Sequence, residues 1–444
     1  FSTSPYYTFV LNRVDLNGSG SSDDDGDSLT YLWRIVSKPS GSTASLVDST
    51  SDTPNFTPDK PGDYVINLIV NDGMANSATD TVNVGVSRAI WRWGYGTNSL
   101  GNPFAMDENG DIFFGYSNSI RSINSNDGTQ SWSFRSTDIV NDVAYFDGYV
   151  YGLCYDNSTS TSLHALDTSG DELWDTTLGT WMDGLVVDAD KNAYILGNTK
   201  FWKVDASGDI DINRNQSSYS MNSYGPIFDS SGNLYFGSYT HRSLTSINSD
   251  GSDRWVFSTP TDSTYYPSID DQGTTSDSSD DIIYIPSADN NLYAVQANGT
   301  EAWRYTTGDE LRAQPIVGPD GTVYFGSYDN KFYAINSDGS LKWSIDVSGD
   351  VIGAAALSAD GRVYFSSGVD VGSGNMFYAV DSSGDVLWTY QLRSDADRSG
   401  VIITDDCKVI VSPEGYIYAL YDDCAGPETR RWPTYNKNNA RNGQ

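Results

Sequence analysis

The chain has 444 residues, length for two or three domains at roughly 150 residues each. Hydrophobic residues make up 38% and aromatics 13%, which supplies a core and excludes global disorder, and no run of about 20 apolar residues exists to span a membrane. Lys and Arg total 26 against 59 Asp and Glu, a formal charge of -33, so the surface repels phosphate backbones and anionic lipid; neither nucleic acid nor membrane insertion is expected.

The 42 Gly and 15 Pro, with abundant Ser, Asp and Asn, are the vocabulary of short strands joined by turns. Phe1 opens the chain without Met and no signal peptide precedes it, as expected of a trimmed or mature product. Residues 1–88 hold "DLNGSGSSDDDGDSLTYLWRIV" (Asp15 to Val36) and, from Phe56, "FTPDKPGDYVINLIVNDGMANSATDTVNVGV". The alternation in "YVINLIV" and "DTVNVGV" predicts strands, and the turn spacing suits a small β-sandwich.

In "SSDDDGD", Asp23, Asp25 and Asp27 alternate around Gly26 and concentrate carboxylate oxygens on a tight turn, as the hard cation Ca²⁺ requires. The Ser-Asp-x-Asp-Gly turn before Tyr-x-Trp resembles that of PKD-type Ig-like domains over about residues 3–87. In calcium-binding members of that family, two Asp of this turn and the Asp of a Val-x-Asp strand end are ligands. The resemblance places those roles on Asp23, Asp25 and Asp72 and implies a calcium-stabilised domain; the alternative is a solvated turn that binds nothing.

From residue 89 the chain repeats. "LYFGSYTHRSLTSINSDGSDRW" (Leu234 to Trp255) and "VYFGSYDNKFYAINSDGSLKW" (Val323 to Trp343) share a strand, a second strand, an Asp-Gly turn and a strand ending in Trp. Trp93, Trp132, Trp174, Trp255, Trp303, Trp343 and Trp388 recur every 39 to 48 residues, the interval from Trp174 to Trp255 counting as two. A degenerate unit fills that interval (Asn192 to Ile212), with Ile210 or Ile212 in the Trp place. The last unit, "KVIVSPEGYIYALYDD", lacks a Trp strand, while "AIWRWGYG" at 89–96 is a Trp strand with no unit before it.

The two defects complement each other, so residues 89–94 are expected to pair with 416–421 and complete an eighth unit. A period of about 40–45 residues with four strands per repeat predicts a β-propeller, and such closure removes exposed strand edges. Gly237 and Gly326 would permit close approach between units, and each Trp would fill the outer groove between blades. The motif looks like the repeat of PQQ-like eight-bladed propellers over roughly residues 89–431, and the tail from Arg430 resembles a segment attached to such propellers in secreted bacterial proteins. The expected architecture is all-β: a sandwich over 1–88, an eight-bladed propeller over 89–431 and a tail over 432–444.

Candidate chemistry is sparse. His164 stands where sister units have Tyr and reads as a packing variant; His241 lies in a turn; the sequence supports no Ser-His-Asp or Cys-His constellation around either. Resemblance to quinoprotein dehydrogenases would imply a vicinal Cys pair, which is absent, so no quinone is expected. Asp188, Asp190 and Asn192 in "DADKN" have metal-ligand spacing, but sister units put β-turns there. Cys407 and Cys424 flank a predicted hairpin and could bridge in an oxidising compartment, leaving Cys154 buried and free. The sequons at Asn17, Asn157, Asn215 and Asn298 say little in so Asn- and Ser-rich a chain.

The resulting expectation is a secreted or cell-surface bacterial protein that binds an extracellular glycan or protein without catalysis. Two rivals are a lyase-type polysaccharide enzyme, which a Tyr beside an Arg in a channel would favour, and a scaffold in envelope protein assembly.

Overall fold

A computed structural model describes residues 6–94, 104–155, 160–179, 182–197, 200–215, 223–238, 241–260, 264–273, 277–368, 375–393, 400–413 and 415–427. Every regular element among them is a strand. The chain divides into two compact units, Phe1–Arg92 with Tyr418–Asp423, and Trp93–Ile417 with Cys424–Gln444. Strand Ala89–Gly94, just after the expected boundary at residue 88, is the neighbour of Tyr416–Tyr421. Residues 432–444, expected as a tail, lie outside the described residues.

In the first unit a four-stranded sheet runs in the order Tyr6–Phe9, Asp80–Ser87, Gly62–Asn71, Thr30–Ser37, beside a two-stranded pair, Val14–Asp15 with Asn55–Phe56. The period-2 alternation sends Tyr64, Ile66, Leu68, Val84 and Val86 inward to meet Trp33 and Phe56. Trp33 is 2% exposed, and its indole N–H donates to the Ser51 carbonyl at 3.0 Å, so the largest core side chain leaves no polar atom unpaired. A loop knot closes the unit. The Asp59 carboxylate accepts from Ser42 Oγ (2.5 Å), Thr43 N (2.6 Å), Thr43 Oγ1 (2.7 Å) and Tyr64 Oη (3.1 Å).

Eight further four-stranded sheets follow among the described residues, seven of them consecutive meanders: Phe104–Arg135, Ile139–Thr177, Met182–Asn215, Ser223–Ser258, Ser268–Thr306, Ile316–Asp346 and Ala356–Gln391. The eighth has the order Gly400–Ile403, Lys408–Ser412, Tyr416–Tyr421, Ala89–Gly94, the pairing expected from the two sequence defects. Its outer seam is tied by the Tyr421 amide donating to the Arg88 carbonyl (2.8 Å) and by Arg88 Nη1 donating to the Tyr421 carbonyl (2.8 Å).

The repeated Trp couples each sheet to the next. The indole N–H of Trp132, Trp174, Trp255, Trp303 and Trp343 donates to a turn carbonyl of the following sheet, on Thr168, Ala206, Ala297, Ser337 and Ser382, at 2.7–3.0 Å. The glycine of that same turn lies over the ring; a Cβ on Gly299 would stand 2.7 Å from Trp255 Cδ2. In the degenerate unit the strand register puts Ile212, opposite Lys203, where the Trp would be. There Phe201 and the Arg214 stem occupy the space beneath Gly251. Gly237 and Gly326 do mark close approaches: a Cβ there would stand 2.1 Å from the Tyr265 carbonyl oxygen and 2.2 Å from Val351 Cγ1.

Candidate functional site

Two of the four carboxylates expected to hold calcium, Asp23 and Asp72, accept backbone amides. Asp23 Oδ1 accepts the amides of Asp25 (2.9 Å) and Asp27 (3.1 Å), and Asp25 and Asp27 are themselves exposed to solvent. Asp72 Oδ1 accepts the amides of Met74 and Ala75, both at 2.7 Å. Those two bonds, Ala75 first, hold the Asp72 carboxyl below its ordinary range. Among the described residues no group of three or more His, Cys, Asp or Glu is arranged to hold a metal ion, so Asp23, Asp25, Asp27 and Asp72 do not converge on one. An Asp side chain reaches amides two to four residues on without any tertiary closure, which is what Asp23 and Asp72 do here.

Asp188, Asp190 and Asn192 form the β-turn of their sister units. Asp188 Oδ1 accepts the amides of Asp190 and Asn192 at 2.9 Å, while Oδ2 accepts Asn192 Nδ2 (2.8 Å) and Tyr194 Oη (2.9 Å). Asp229 repeats this for Ser231, Asn233 and Tyr235. The acidic turns at this end of the sheets are therefore caps first and surface charge second. Cys407 and Cys424 are disulfide-bonded, with Cα atoms 5.6 Å apart, and Cys154 is free and buried. His241 lies in an exposed turn, its amide donating to Ser238 Oγ.

His164 is more than a packing variant. Its Nδ1 lies 2.7 Å from Glu172 Oε1, and its Nε2 lies 3.1 Å from Ser162 Oγ and 3.4 Å from Ser136 Oγ. The available signal was a histidine at a tyrosine position with a Ser two residues before and a Glu eight after. Ser136, 28 residues away near the previous sheet, carried none.

A second arrangement missing from the sequence reading lies at the opposite end of the sheets, where second-to-third-strand turns and sheet-to-sheet loops emerge. There the guanidinium carbon of Arg312 sits 5.6 Å from the Tyr265 ring centroid and 4.9 Å from that of Tyr328. Arg312 Nη2 donates to Glu310 Oε1 at 2.7 Å, and Gln314 Nε2 to the Pro267 carbonyl at 2.8 Å. Burial opposes the guanidinium charge, yet Tyr265 and Glu310 outweigh it and raise the Arg312 pKa. Tyr265 is 4% exposed, whereas Tyr328 and Arg312 are half-buried, so the stack is anchored from below and open above. Cation–π stacking fixes the plane of a side chain that would otherwise lose rotamer entropy on binding.

Residues 288–422 match the family described as outer membrane protein assembly factor BamB, and residues 8–86 match a family described as a PKD domain. No curated protein sequence matches the chain. Among solved structures it is similar to Sqt1 of Saccharomyces cerevisiae (TM-score 0.63, 11% identity, covering 75% of this chain and 99% of that one). It is also similar to BamB of Moraxella catarrhalis (TM-score 0.57, 10% identity, 75% and 99% covered) and to the computationally designed protein Ika8 (TM-score 0.58, 12% identity, 73% and 98% covered). At these identities the likeness shows the fold: a β-propeller of the BamB-like repeat type, preceded by a PKD domain.

Proposed function

We propose that the chain is a secreted or cell-surface binding scaffold whose propeller closes as an eight-bladed ring and presents its ligand face at the end carrying Tyr265, Arg312 and Tyr328. The observation that carries this reading is the contrast between the two ends of the sheets. At one end, Asp caps and Trp N–H bonds recur from unit to unit and are spent on holding the fold. At the other, Arg312 stacks on two rings, the repeat-position Tyr328 (Tyr239 in the sister motif) and Tyr265 of a sheet-to-sheet loop, with Arg312 and Tyr328 half-buried. The half-buried Tyr328 ring beside a fixed guanidinium suits the apolar faces and hydroxyls of a sugar ring or a polar protein surface.

The cluster is poorly suited to a lyase. Tyr265 is buried and Arg312 is already neutralised by Glu310, so the pair is arranged for stacking rather than for neutralising a uronate. Calcium carries no step of the proposal. The match of residues 288–422 to the BamB-described family favours a second reading, a scaffold in envelope protein assembly, in which the same face would take a protein.

The test is an array of extracellular glycans and envelope proteins probed with the full chain, with and without chelator. Arg312→Ala should lower retention of the bound ligand at least tenfold, and chelator should leave it unchanged. Undiminished binding by Arg312→Ala would refute the assignment of the face.

A further inference from the structure

We propose that Ser162, His164 and Glu172 form a nucleophilic acyl-transfer site between the first two propeller sheets, taking small uncharged esters. The geometry is that of an activated hydroxyl: a serine within hydrogen-bond reach of an imidazole nitrogen, with the other ring nitrogen held by a carboxylate. Glu172 accepts from Nδ1–H at 2.7 Å, which leaves Nε2 to accept the proton of Ser162 Oγ at 3.1 Å. Ser136 Oγ is farther, at 3.4 Å, and already accepts the Asp138 amide at 3.1 Å, so Ser162 is the better nucleophile.

Structural duty does not require this set. At the equivalent strand position Tyr293 and Tyr333 simply donate to Asp289 and Asp329 on the adjoining turn. In the second sheet the tyrosine is replaced by histidine and Ser162 stands two residues before it, where those units have Asn291 and Lys331, while Glu172 on the outer strand keeps the place of Glu301 and is taken up by the imidazole. Phe134 supports the imidazole from the previous sheet, ring centroids 5.5 Å apart. Cys154, opposite Ser162 in the strand register, is not a rival nucleophile: burial pushes its thiol up to about 12, which keeps it protonated. Glu172 is partly exposed, and Asp138 and Asp175 flank the cluster, so anionic substrates are repelled and an uncharged ester is favoured.

In the step, Ser162 Oγ attacks the ester carbonyl carbon while its proton passes to His164 Nε2. The carbon–alkoxy bond breaks, the leaving alcohol takes that proton, and acyl-Ser162 remains. Water, deprotonated by the same nitrogen, then releases the carboxylic acid and restores the hydroxyl.

When the folded chain is treated with a fluorophosphonate probe, the probe should lose fluoride and leave its phosphonyl group on the peptide containing Ser162. Labelling should vanish in Ser162→Ala and fall at least a hundredfold in His164→Tyr, a residue the repeat already accommodates; Glu172→Gln should slow it at least tenfold. Unchanged melting temperatures verify that each variant is folded. A folded wild type that stays unlabelled, a label on Ser136, or labelling that survives in His164→Tyr would each overturn the proposal. Because glycan or protein binding at Arg312 is read separately, failure here leaves that reading standing.

Discussion

Two glycines share a left-handed φ and differ in what lies above them. Gly148, in a hairpin turn of the second sheet, and Gly299, in the turn over Trp255, both have φ +86°. A methyl group at Gly148 meets nothing within 4 Å, whereas at Gly299 it would stand 2.7 Å from Trp255 Cδ2 and 2.9 Å from Cγ. Alanine in the left-handed region costs about 1–2 kcal/mol at either site. At Gly299 the ring must also retreat, adding roughly 1–3 kcal/mol of overpacking. Retreat further weakens the Trp255 N–H bond to the Ala297 carbonyl (2.9 Å), a bond of about 1 kcal/mol. Gly299→Ala should therefore destabilise by about 2–5 kcal/mol and Gly148→Ala by about 1–2. Urea unfolding followed by near-ultraviolet circular dichroism measures both, with the midpoint shift converted through a common slope. In a Trp255→Phe background, where the ring is smaller, the penalty at Gly299 should fall toward that at Gly148. Equal losses at the two glycines in the wild-type background would refute the view that the Trp–turn contact couples neighbouring sheets.

A chain beginning at residue 87 keeps the outer strand Ala89–Gly94 and one beginning at 96 lacks it, so the first should melt several degrees above the second by calorimetry. In the PKD domain, burial raises the Asp59 pKa, but hydrogen bonds from Ser42, Thr43 and Tyr64 outweigh it and hold the carboxyl well below its ordinary range. A depressed folded pKa contributes stability that is present above the unfolded value near 4 and is lost as pH falls through the folded one. Acid titration of the domain should therefore show a loss below pH 4 that Asp59→Asn, already weaker at pH 7 by roughly 1–3 kcal/mol, no longer shows. The Cys407–Cys424 bridge closes a loop of sequence separation 17 and should contribute about 3 kcal/mol, so reductant should lower the unfolding midpoint and Cys424→Ser should remove that sensitivity.

The parts of the fold that were legible in the sequence are those where one residue type meets a need repeated in every unit. Trp255 must find a carbonyl for its N–H, and Gly299 must admit the ring, so Trp and Gly recur at fixed spacing and expose the period. The unpartnered strand at 89–94 was legible for the complementary reason, a strand without a sheet. The functional candidates were less so. At the Asp23 turn, alternation reports proximity but not that Asp23 Oδ1 accepts the amides of Asp25 and Asp27. The Ser162–His164–Glu172 set was hidden because its histidine masquerades as a repeat position, and Arg312 because its two tyrosines lie 47 residues before and 16 after it, on different loops. In the degenerate unit, chain position allowed either Ile210 or Ile212; only the bulge between Lys203 and Val204 decides for Ile212.

The bond from Arg88 to Tyr421 joins residues 333 apart in the chain. Trp-to-turn bonds span only 32 to 42 residues, so successive sheets can assemble as the polypeptide emerges. Strand Ala89–Gly94 cannot. It is made early and must wait, at about 5–20 residues per second, some tens of seconds for its partner. Throughout that interval its edge is open to any passing strand, including one from another copy. Biogenesis of this protein thus has a vulnerable window set by topology rather than by stability, and conditions that slow elongation lengthen it.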